Sequence, residues 1–321
     1  MSLQQSDKLT TAVSTGVVSI ATPFFTVIIP TYNRAQLIGR TINSVLAQSY
    51  KNFEIIVVDN KSTDNTVEML RAYVDNGSIR LFVQDKNYER ACSRNKGFNE
   101  AKGELVTLLD SDDILYPTCL EDAYNFYCTN PGIKFFHSCY DVIDERGEIM
   151  ARSKLKQVRN PFAELSKGNY ISNIGVFIHR NVVERVKVDE TPILIGMEDY
   201  DFVLRILYDV KKIGFIDKIN CGIMVHPQRT VLTQDMDTIT NRVNFFVSKS
   251  LNSELFQNDF DKYRKVFASS NQLYLCGAAA IRGLPGKAFK HLAKSAMSNP
   301  TDIFTFNYWR HFFVILKYMF R

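Results

Sequence analysis

Residues 24–60 read FFTVIIPTYNRAQLIGRTINSVLAQSYKNFEIIVVDN, and their pattern predicts the architecture of the chain. The two ends, 24–30 and 53–60, are short runs of apolar and β-branched residues, which is typical of strands buried on both faces. The segment 33–50 between them has apolar residues at the spacing of an amphipathic helix. A strand, a helix and a second strand in this order predict a βαβ unit with parallel strands.

The same alternation continues towards the C-terminus. Helix and strand patterns follow each other at 62–76, 79–84, 89–103 and 104–110. Ser62, Thr63 and Asp64 are capping candidates for the first of these helices, and Gly103 is a natural stop for the second. Repeated βαβ units predict an α/β fold, with a mostly parallel sheet flanked by helices.

Beyond residue 115 the pattern becomes less regular. It predicts, in order, a helix, two strands, a helix and a strand pair: 117–131, 133–144, 175–180, 197–210 and 212–227. From about 236 the chain reads as helical and basic. We therefore expect a loose tail at 1–23, an α/β domain at 24–235 and a basic helical C-terminal region at 236–321.

Charge is unevenly distributed along the 321 residues. The whole chain carries +5, while residues 241–321 hold twelve Lys/Arg against four Asp/Glu, which leaves −3 for the rest. The stretch 304–321, FTFNYWRHFFVILKYMFR, mixes aromatic residues with Arg310, Lys317 and Arg321. It is too short and too charged to span a bilayer, but could lie on a membrane surface as an amphipathic helix. The alternative is packing against the core or a second subunit.

The cysteines and the N-terminal residues indicate in which cellular compartment the protein acts. The six cysteines include no C-x-x-C pair, which favours free thiols in a reducing environment over disulfides or a zinc site. Residues 1–22 lack the charged start and apolar centre of a signal peptide. We expect a cytoplasmic protein, with the inner face of the cell membrane as the place where the basic region would act.

Polar side chains follow three of the predicted parallel strands, at Thr31-Tyr32, Asp59-Asn60 and 110–113. In sheets of this kind, ligands bind beyond the carboxyl ends of the strands. The third group contains Asp110, Asp112 and Asp113, and three carboxylates this close need a cation to offset their repulsion. Two aspartates one residue apart suit Mg²⁺ or Mn²⁺ together with phosphate oxygens. The alternative is a turn and helix cap.

Three segments carry a resemblance to a known family. They are VIIPTYNRAQLIGRTINSVLAQSYKNFEIIVVDNKSTDNT (27–66), RNKGFNEAKGELVTLLDSDD (94–113) and GMEDYDFVLRI (196–206). In this order and spacing they resemble family 2 glycosyltransferases, over about 24–230. The resemblance implies a GT-A (Rossmann-like) fold. It also implies inverting transfer of a sugar from a nucleotide-diphosphate donor to an acceptor hydroxyl, as in bacterial polysaccharide or surface-glycan biosynthesis.

The resemblance also implies which residues bind the donor: Pro30, Thr31, Tyr32, Asp59, Arg94, Asp110 and Gly175. Asp59 would hydrogen-bond the base, and Arg94 would offset the charge of the diphosphate. The alternatives are a solvated helix arginine for Arg94 and a plain turn for Gly175. The chain departs from the common Asp-Asp-Gly-Ser form of the family at Asn60 and Lys61, and a lysine in place of glycine would stiffen that loop.

Metal and catalytic roles follow from the same resemblance. Asp110 and Asp112 would hold Mn²⁺ or Mg²⁺ on the diphosphate, with His226 close to the metal; a structural histidine is the alternative. Asp199 would be the catalytic base and Glu198 would orient the acceptor or the base. The alternative for these two is ordinary negative charge at a helix N-terminus.

The partners implied are a nucleotide sugar, with a UDP-sugar favoured, and a glycan or lipid-linked acceptor, but no nucleic acid. A catalytically degenerate nucleotide-sugar or glycan-binding protein is the alternative of a different class, against which Asp110, Asp112 and Asp199 argue. A nucleotide-sugar hydrolase would share the site and accept water instead. A dinucleotide oxidoreductase is disfavoured because the first strand leads into PTYN rather than G-x-G-x-x-G.

Overall fold

The structure is a computed structural model, which describes residues 24–226 and 234–319. The predicted tail 1–23 and Arg321 lie outside the described residues. The strands are β1 Phe25–Thr31, β2 Phe53–Asp59, β3 Arg80–Val83, β4 Leu105–Leu108, β5 Ile114–Leu115, β6 Phe135–Ile143, β7 Ile149–Arg152, β8 Val176–His179 and β9 Gly214–Met224. The helices are α1 Ile38–Leu46, α2 Thr66–Asp75, α3 Glu89–Glu100, α4 Cys119–Thr129, α5 Pro161–Lys167, α6 Arg180–Arg185, α7 Glu198–Val210, α8 Met236–Leu251, α9 Arg264–Ile281, α10 Pro285–Ser298 and α11 Phe306–Met319.

All nine strands belong to one twisted sheet, in the order β3-β2-β1-β4-β8-β6-β9-β5, with β7 paired to β6. The predicted βαβ units are confirmed, because β3, β2, β1 and β4 are parallel neighbours. The second half of the sheet is mixed: β8 is antiparallel to β4 and β6, whereas β9 is parallel to β6. Beyond Asp110 the strand–helix–strand repeat that imposes parallel pairing is interrupted, so the second half combines the parallel pair β6–β9 with antiparallel neighbours.

Two local predictions need correction. The expected strand pair at 212–227 is the single strand β9; its exposed Asp217 and Lys218 resemble a turn, but the strand continues through bulged pairing with β6. Helix α3 ends at Glu100 rather than at Gly103. An added Cβ on Gly103 would lie 2.5 Å from the backbone nitrogen of Thr26, so this glycine permits close approach to β1.

Helix α2 begins after Asn65, whose side chain makes no capping bond; Asp64 instead accepts from the backbone nitrogen of Thr66. The elements β5, β7, α5 and α6 were not predicted, because each is too short to show a period. The six cysteines are free, as predicted. No helix within the described ranges has the length and apolar character needed to cross a membrane.

The apolar core lies on both faces of the sheet and fixes α3, which carries the predicted donor-binding Arg94, and α7, which carries the predicted catalytic Glu198 and Asp199. Ile28 of β1 belongs to a buried cluster shared with α3 and α7, whereas Val27 and Ile29 face α1 and α4. The rings of Phe98 in α3 and Phe202 in α7 stack with their centroids 5.7 Å apart. A third buried cluster joins α8, α9, α10 and α11. The sheet and this stacking therefore hold α3 and the start of α7 side by side.

Candidate active site

The carboxyl ends of β1, β2 and β4 converge at one edge of the sheet, as the sequence predicts. Thr31 and Asp59 are register partners, and the Asn60 nitrogen donates to the Thr31 carbonyl at 2.8 Å. The Leu109 nitrogen donates to the Ile28 carbonyl at 3.0 Å, which places Asp110 immediately beyond the sheet. Parallel pairing therefore brings the three polar groups into one region.

At the β1 and β2 ends the predicted donor-binding residues differ in accessibility. Pro30 and Thr31 are buried, and Tyr32 is exposed. Asp59 is fully buried, and both of its carboxylate oxygens accept from Ser62, one from the backbone nitrogen and one from the hydroxyl. Its carboxylate therefore holds the β2–α2 turn. Lys61 in this turn has a φ of +65°, the left-handed conformation that glycine adopts without strain.

Asp112 lies against two cationic or ligand-forming side chains. Its Oδ2 is 2.9 Å from Nε2 of His226 and 3.5 Å from Nε of Arg34. Asp113 supports this arrangement, because its Oδ1 accepts from the backbone nitrogen of Met224 at 2.9 Å and so ties the loop to the end of β9. Met224 precedes His226 by two residues, so the pairing of β9 places the histidine beside Asp112.

The Asp112–His226 pair fits one edge of a divalent metal site. Two neighbouring ligands of an octahedral ion, each at about 2.1 Å, lie about 3 Å apart, close to the 2.9 Å between these atoms. Asp110, the other predicted metal ligand, has its Oδ1 3.1 Å from a terminal nitrogen of Arg94. Among the described residues there is no group of three or more His, Cys, Asp or Glu side chains arranged to hold a metal. The remaining ligands would have to be phosphate oxygens and water, an arrangement that Mg²⁺ favours.

A cavity of about 460 Å³ opens beside this pair, with Arg34, Asp64, Glu145 and His226 among its lining residues. Its volume is in the range of small-molecule sites. The backbone nitrogen of Arg34 donates to the Thr66 hydroxyl at 2.8 Å, which fixes the β1–α1 loop at the mouth of the cavity. Arg34 thus lines this cavity and also contacts Asp112.

Arg94 connects the strand-end carboxylates to those of helix α7. Its side chain is 1% exposed, and its two terminal nitrogens lie 3.1 Å from Asp110 Oδ1 and 2.6 Å from Asp199 Oδ1. Glu198 Oε1 lies 3.7 Å away. Burial alone would lower the pKa of Arg94, but Asp199, Asp110 and Glu198 together raise it, so the guanidinium stays charged. Arg94 is therefore not the solvated helix arginine that was the alternative, but a buried cation among carboxylates.

Glu198 and Asp199 begin α7 in different environments. Glu198 is 2% exposed, and its Oε2 accepts from the backbone nitrogen of Gly196. Its other oxygen is 3.4 Å from Nε of Arg90. Asp199 is 32% exposed through its side chain, so a ligand in the site can reach it. The structure thus separates a buried carboxylate from an accessible one.

The buried position of Glu198 gives a pH-dependent prediction. Burial raises the pKa of Glu198 and Asp199 adds to the shift, while Arg94 and Arg90 oppose it. Because the pKa of Glu198 is higher in the folded state than in the unfolded state, proton binding stabilises the folded state. This stabilisation is complete below the ordinary pKa of 4.5 and is lost as the pH rises through the pKa of the folded state. We expect Glu198→Gln, which cannot ionise, to gain free energy of unfolding relative to the wild type from about pH 4.5 upwards.

Urea denaturation of both proteins between pH 4 and pH 8 measures this difference. Glu184→Gln is the control, because Glu184 is an exposed partner of Arg180 on α6. A stability difference that stays constant over the range would contradict the prediction.

Helix α8 holds the start of α7 in place. Lys249 Nζ contacts Asp201 Oδ1 at 2.5 Å and Asp189 Oδ2 at 2.7 Å. Asp201 also pairs with Arg205, the structural i,i+4 pair of α7. An added Cβ on Gly196, just before Glu198, would lie 2.8 Å from the Arg242 guanidinium of α8. The C-terminal helices therefore contact the segment that carries the predicted base.

Gly175 has a packing role whether or not it faces a ligand. Its φ is +69°, and an added Cβ would lie 2.6 Å from Ser138 Oγ and 2.8 Å from Cys221 Sγ. Both neighbours belong to the sheet, on β6 and β9. A side chain at this position would therefore strain the backbone and collide with the sheet.

Two site residues escaped the sequence reasoning. Arg34 lies in the segment 27–66 that resembles the family, and its charge and its place after β1 were visible signals of a role in the site. Arg90 lies one helical turn before Arg94, and this i,i+4 spacing could have indicated that both face the same carboxylate. Asn95, next to Arg94, holds the segment before α7 in place, since it donates to the Val188 carbonyl and accepts from the Val188 nitrogen.

Comparisons with known proteins bear on the family and the fold. A family profile described as Glycosyl transferase family 2 matches residues 26–191. An uncharacterised glycosyltransferase of Haemophilus influenzae is 31% identical over 192 residues, which are 59% of this chain and 74% of the relative. The Escherichia coli protein named UDP-Glc:alpha-D-GlcNAc-diphosphoundecaprenol beta-1,3-glucosyltransferase WfgD is 30% identical over 206 residues, 63% of this chain and 76% of that protein.

Among solved structures, that of S. aureus TarS 1-349 in complex with UDP-GlcNAc superposes with a TM-score of 0.66. The two sequences are 18% identical, and the match covers 85% of this chain and 81% of the TarS chain. A likeness at this identity concerns the fold. The predicted GT-A fold is confirmed by it.

Proposed function

This chain belongs to glycosyl transferase family 2, and from that premise we propose that it catalyses an inverting sugar transfer from a nucleotide-diphosphate donor to an acceptor hydroxyl. One observation carries the proposal: a single buried guanidinium, that of Arg94, contacts both Asp110 at the strand ends and Asp199 at the start of α7. The predicted donor-binding residue Asp110 and the predicted base Asp199 thus contact the same guanidinium. Such fixed proximity is what a direct displacement requires.

We place the donor diphosphate beside Asp112, His226 and Arg34. Asp112 and His226 would hold Mn²⁺ or Mg²⁺, with phosphate oxygens as further ligands. When bound, such an ion offsets the negative charge that develops on the leaving diphosphate. Arg34 replaces Arg94 in our assignment as the cation nearest the phosphates, because Arg94 is buried among three carboxylates whereas Arg34 lines the cavity.

In the proposed reaction, the acceptor oxygen attacks the anomeric carbon from the face opposite the diphosphate. The carbon–oxygen bond to the diphosphate breaks, and the nucleoside diphosphate leaves with the bonding electron pair. Asp199 takes the proton of the acceptor hydroxyl as general base. Arg94 keeps its carboxylate oriented through the 2.6 Å contact. Glu198 is a positioning residue, because it is buried and contacts Arg90 and Arg94.

The proposed substrates follow from the relatives. The name of WfgD specifies a UDP-sugar as its donor and a sugar on diphosphoundecaprenol as its acceptor. This similarity supports a UDP-sugar donor and a lipid-linked glycan acceptor for the present chain, in the synthesis of a polysaccharide or surface glycan.

A thermal-shift panel followed by a transfer assay tests the proposal. UDP-, GDP-, dTDP- and CMP-sugars are each added with and without Mn²⁺. We expect one nucleotide class to raise the melting temperature only with the metal, since binding to the folded state stabilises it by about 2.7 kcal/mol at 100 times Kd. Asp112→Asn should lose this shift. Asp217→Asn, at an exposed position of β9, is the matched control.

Three other outcomes would contradict the proposal or part of it. Binding without any sugar transfer or donor hydrolysis would favour the degenerate binding protein. Donor breakdown that does not depend on an acceptor would favour a hydrolase. Binding that persists in Asp112→Asn would contradict the placement of the metal and diphosphate.

A further inference from the structure

Helix α11 and the turn before it expose an unusual set of aromatic side chains. Phe304 and Phe306 are 85% and 84% exposed, Phe313 is 62% exposed and Trp309 is 47% exposed. Phe306, Trp309 and Phe313 follow the i, i+3, i+7 spacing of one helical face. We call these four side chains the aromatic face. Exposed apolar patches of this kind mark interaction surfaces.

The aromatic face is continuous with the neighbouring helix. Trp309 and Phe313 both contact Phe312, with ring centroids 5.5 Å and 5.8 Å away. Phe312 in turn contacts Phe289 of α10 at 6.1 Å. On the inner side, Ile315 is buried in the cluster shared with α8, α9 and α10. Helix α11 is therefore anchored by one side, while the opposite side presents aromatic rings outward.

Basic residues accompany the aromatic face. Arg310 and Lys317 continue the outward stripe of α11, and Lys290 and Lys294 are exposed on α10, where Lys287 is paired with Asp237 of α8. Within 282–319 the single acidic residue is Asp302. Its carboxylate accepts from Ser269 and from Asn299, so it is turned towards α9 and the end of α10. The outward charge of this region is positive.

We propose that the aromatic face docks on the surface of an anionic lipid bilayer, with the rings in the interfacial layer and the basic side chains against the lipid headgroups. Tryptophan and phenylalanine on one side with Lys and Arg alongside is the composition of helices that lie in the plane of a membrane interface. Anionic headgroups attract Lys and Arg near the surface. A symmetric contact with a second copy would instead bring two copies of the same positively charged surface together, and like charges oppose such a contact.

Trp309 provides a direct measurement, because it is the only tryptophan in the chain. The full chain is mixed with vesicles of phosphatidylcholine alone or with added phosphatidylglycerol, in the absence of any nucleotide sugar. We expect the Trp309 emission to shift to shorter wavelength with the anionic vesicles and to be quenched by brominated acyl chains. Added salt should weaken the effect, because the electrostatic attraction is screened.

Two variants and a matched control locate the surface. Removal of one phenyl ring that the bilayer would bury should weaken vesicle binding about tenfold. The double variant Phe306→Ser with Phe313→Ser should therefore abolish co-sedimentation. Arg310→Gln with Lys317→Gln should reduce the dependence on phosphatidylglycerol. Met69→Ser with Met150→Ser is the control, because both methionines are exposed and lie on α2 and β7, away from the aromatic face. The control should sediment as the wild type does.

Three results would overturn the proposal. One is the absence of both a spectral shift and co-sedimentation with anionic vesicles. Another is unchanged sedimentation of the Phe306→Ser/Phe313→Ser variant. The third is a dimer, seen by light scattering, that this variant dissociates while vesicles are not bound, which would assign the face to a second copy. Vesicle binding needs no donor or catalysis, so its failure is distinguishable from failure of the proposed function.

Discussion

Asp199→Asn is expected to lower kcat for sugar transfer about 10²–10⁴-fold, the usual contribution of a general base. An asparagine side chain has nearly the same shape but cannot take a proton from the acceptor hydroxyl. Asp199 is accessible from the site, whereas its neighbour Glu198 is buried and contacts Arg90 and Arg94. Glu198 cannot replace it without a change in the start of α7. The loss should therefore appear in kcat.

Donor binding and folding should survive the same change. The amide oxygen of asparagine can still accept the hydrogen bond from Arg94, which is 2.6 Å from Asp199 Oδ1 in the wild type. Thermal shift with the donor and metal should therefore match the wild type. Asp209→Asn is the control on the same helix, because Asp209 pairs with the half-exposed Arg185 at the surface. Full activity in Asp199→Asn, or loss of donor binding equal to the loss of transfer, would contradict the role of base.

The local pattern of apolar residues was sufficient to predict the strands and helices of the first half of the fold. The strands β1, β2 and β4 are buried on both faces, so their apolar runs were unambiguous, and the helices between them left a single pairing direction. The position of Asp59 and Asp110 at one edge of the sheet follows from that topology. The strands β5 and β9, by contrast, pair across about 100 residues, and no local period encodes such a contact.

The partners of site residues were harder to predict than their positions. Arg94 contacts Asp199 across 105 residues and Asp110 across 16. A charged residue in a helix of polar composition is expected at the surface, so its complete burial could not be read from the sequence. His226 was assigned by resemblance, and its contact with Asp112 spans 114 residues. Its role in metal binding stays a prediction.

Arg94→Met is expected to cost about 3–5 kcal/mol of folding free energy, the range for removal of one partner from a buried ion pair. Methionine fills a similar volume but removes one of the two arginine contacts of Glu198, which is almost fully buried. Asp110 and Asp199 would also face each other with no charge between them. Since about a third of each of these two side chains is exposed, water can offset part of their cost, and Glu198 should dominate the loss.

Arg94→Lys separates charge from geometry. A lysine restores a positive charge, but its single ammonium cannot bridge three carboxylates as the planar guanidinium does. We expect Arg94→Lys to recover part of the free energy of unfolding in urea denaturation. Its kcat should stay low, because one ammonium group would not contact Asp199 and Asp110 together and so would not hold Asp199 in place. Arg185→Met is the matched control, since Arg185 makes a two-bond pair with Asp209 at the surface and should cost less than about 1 kcal/mol. If Arg94→Met were no more destabilising than Arg185→Met, or if Arg94→Lys transferred sugar at the wild-type rate, Arg94 would not be the link between the donor site and the base.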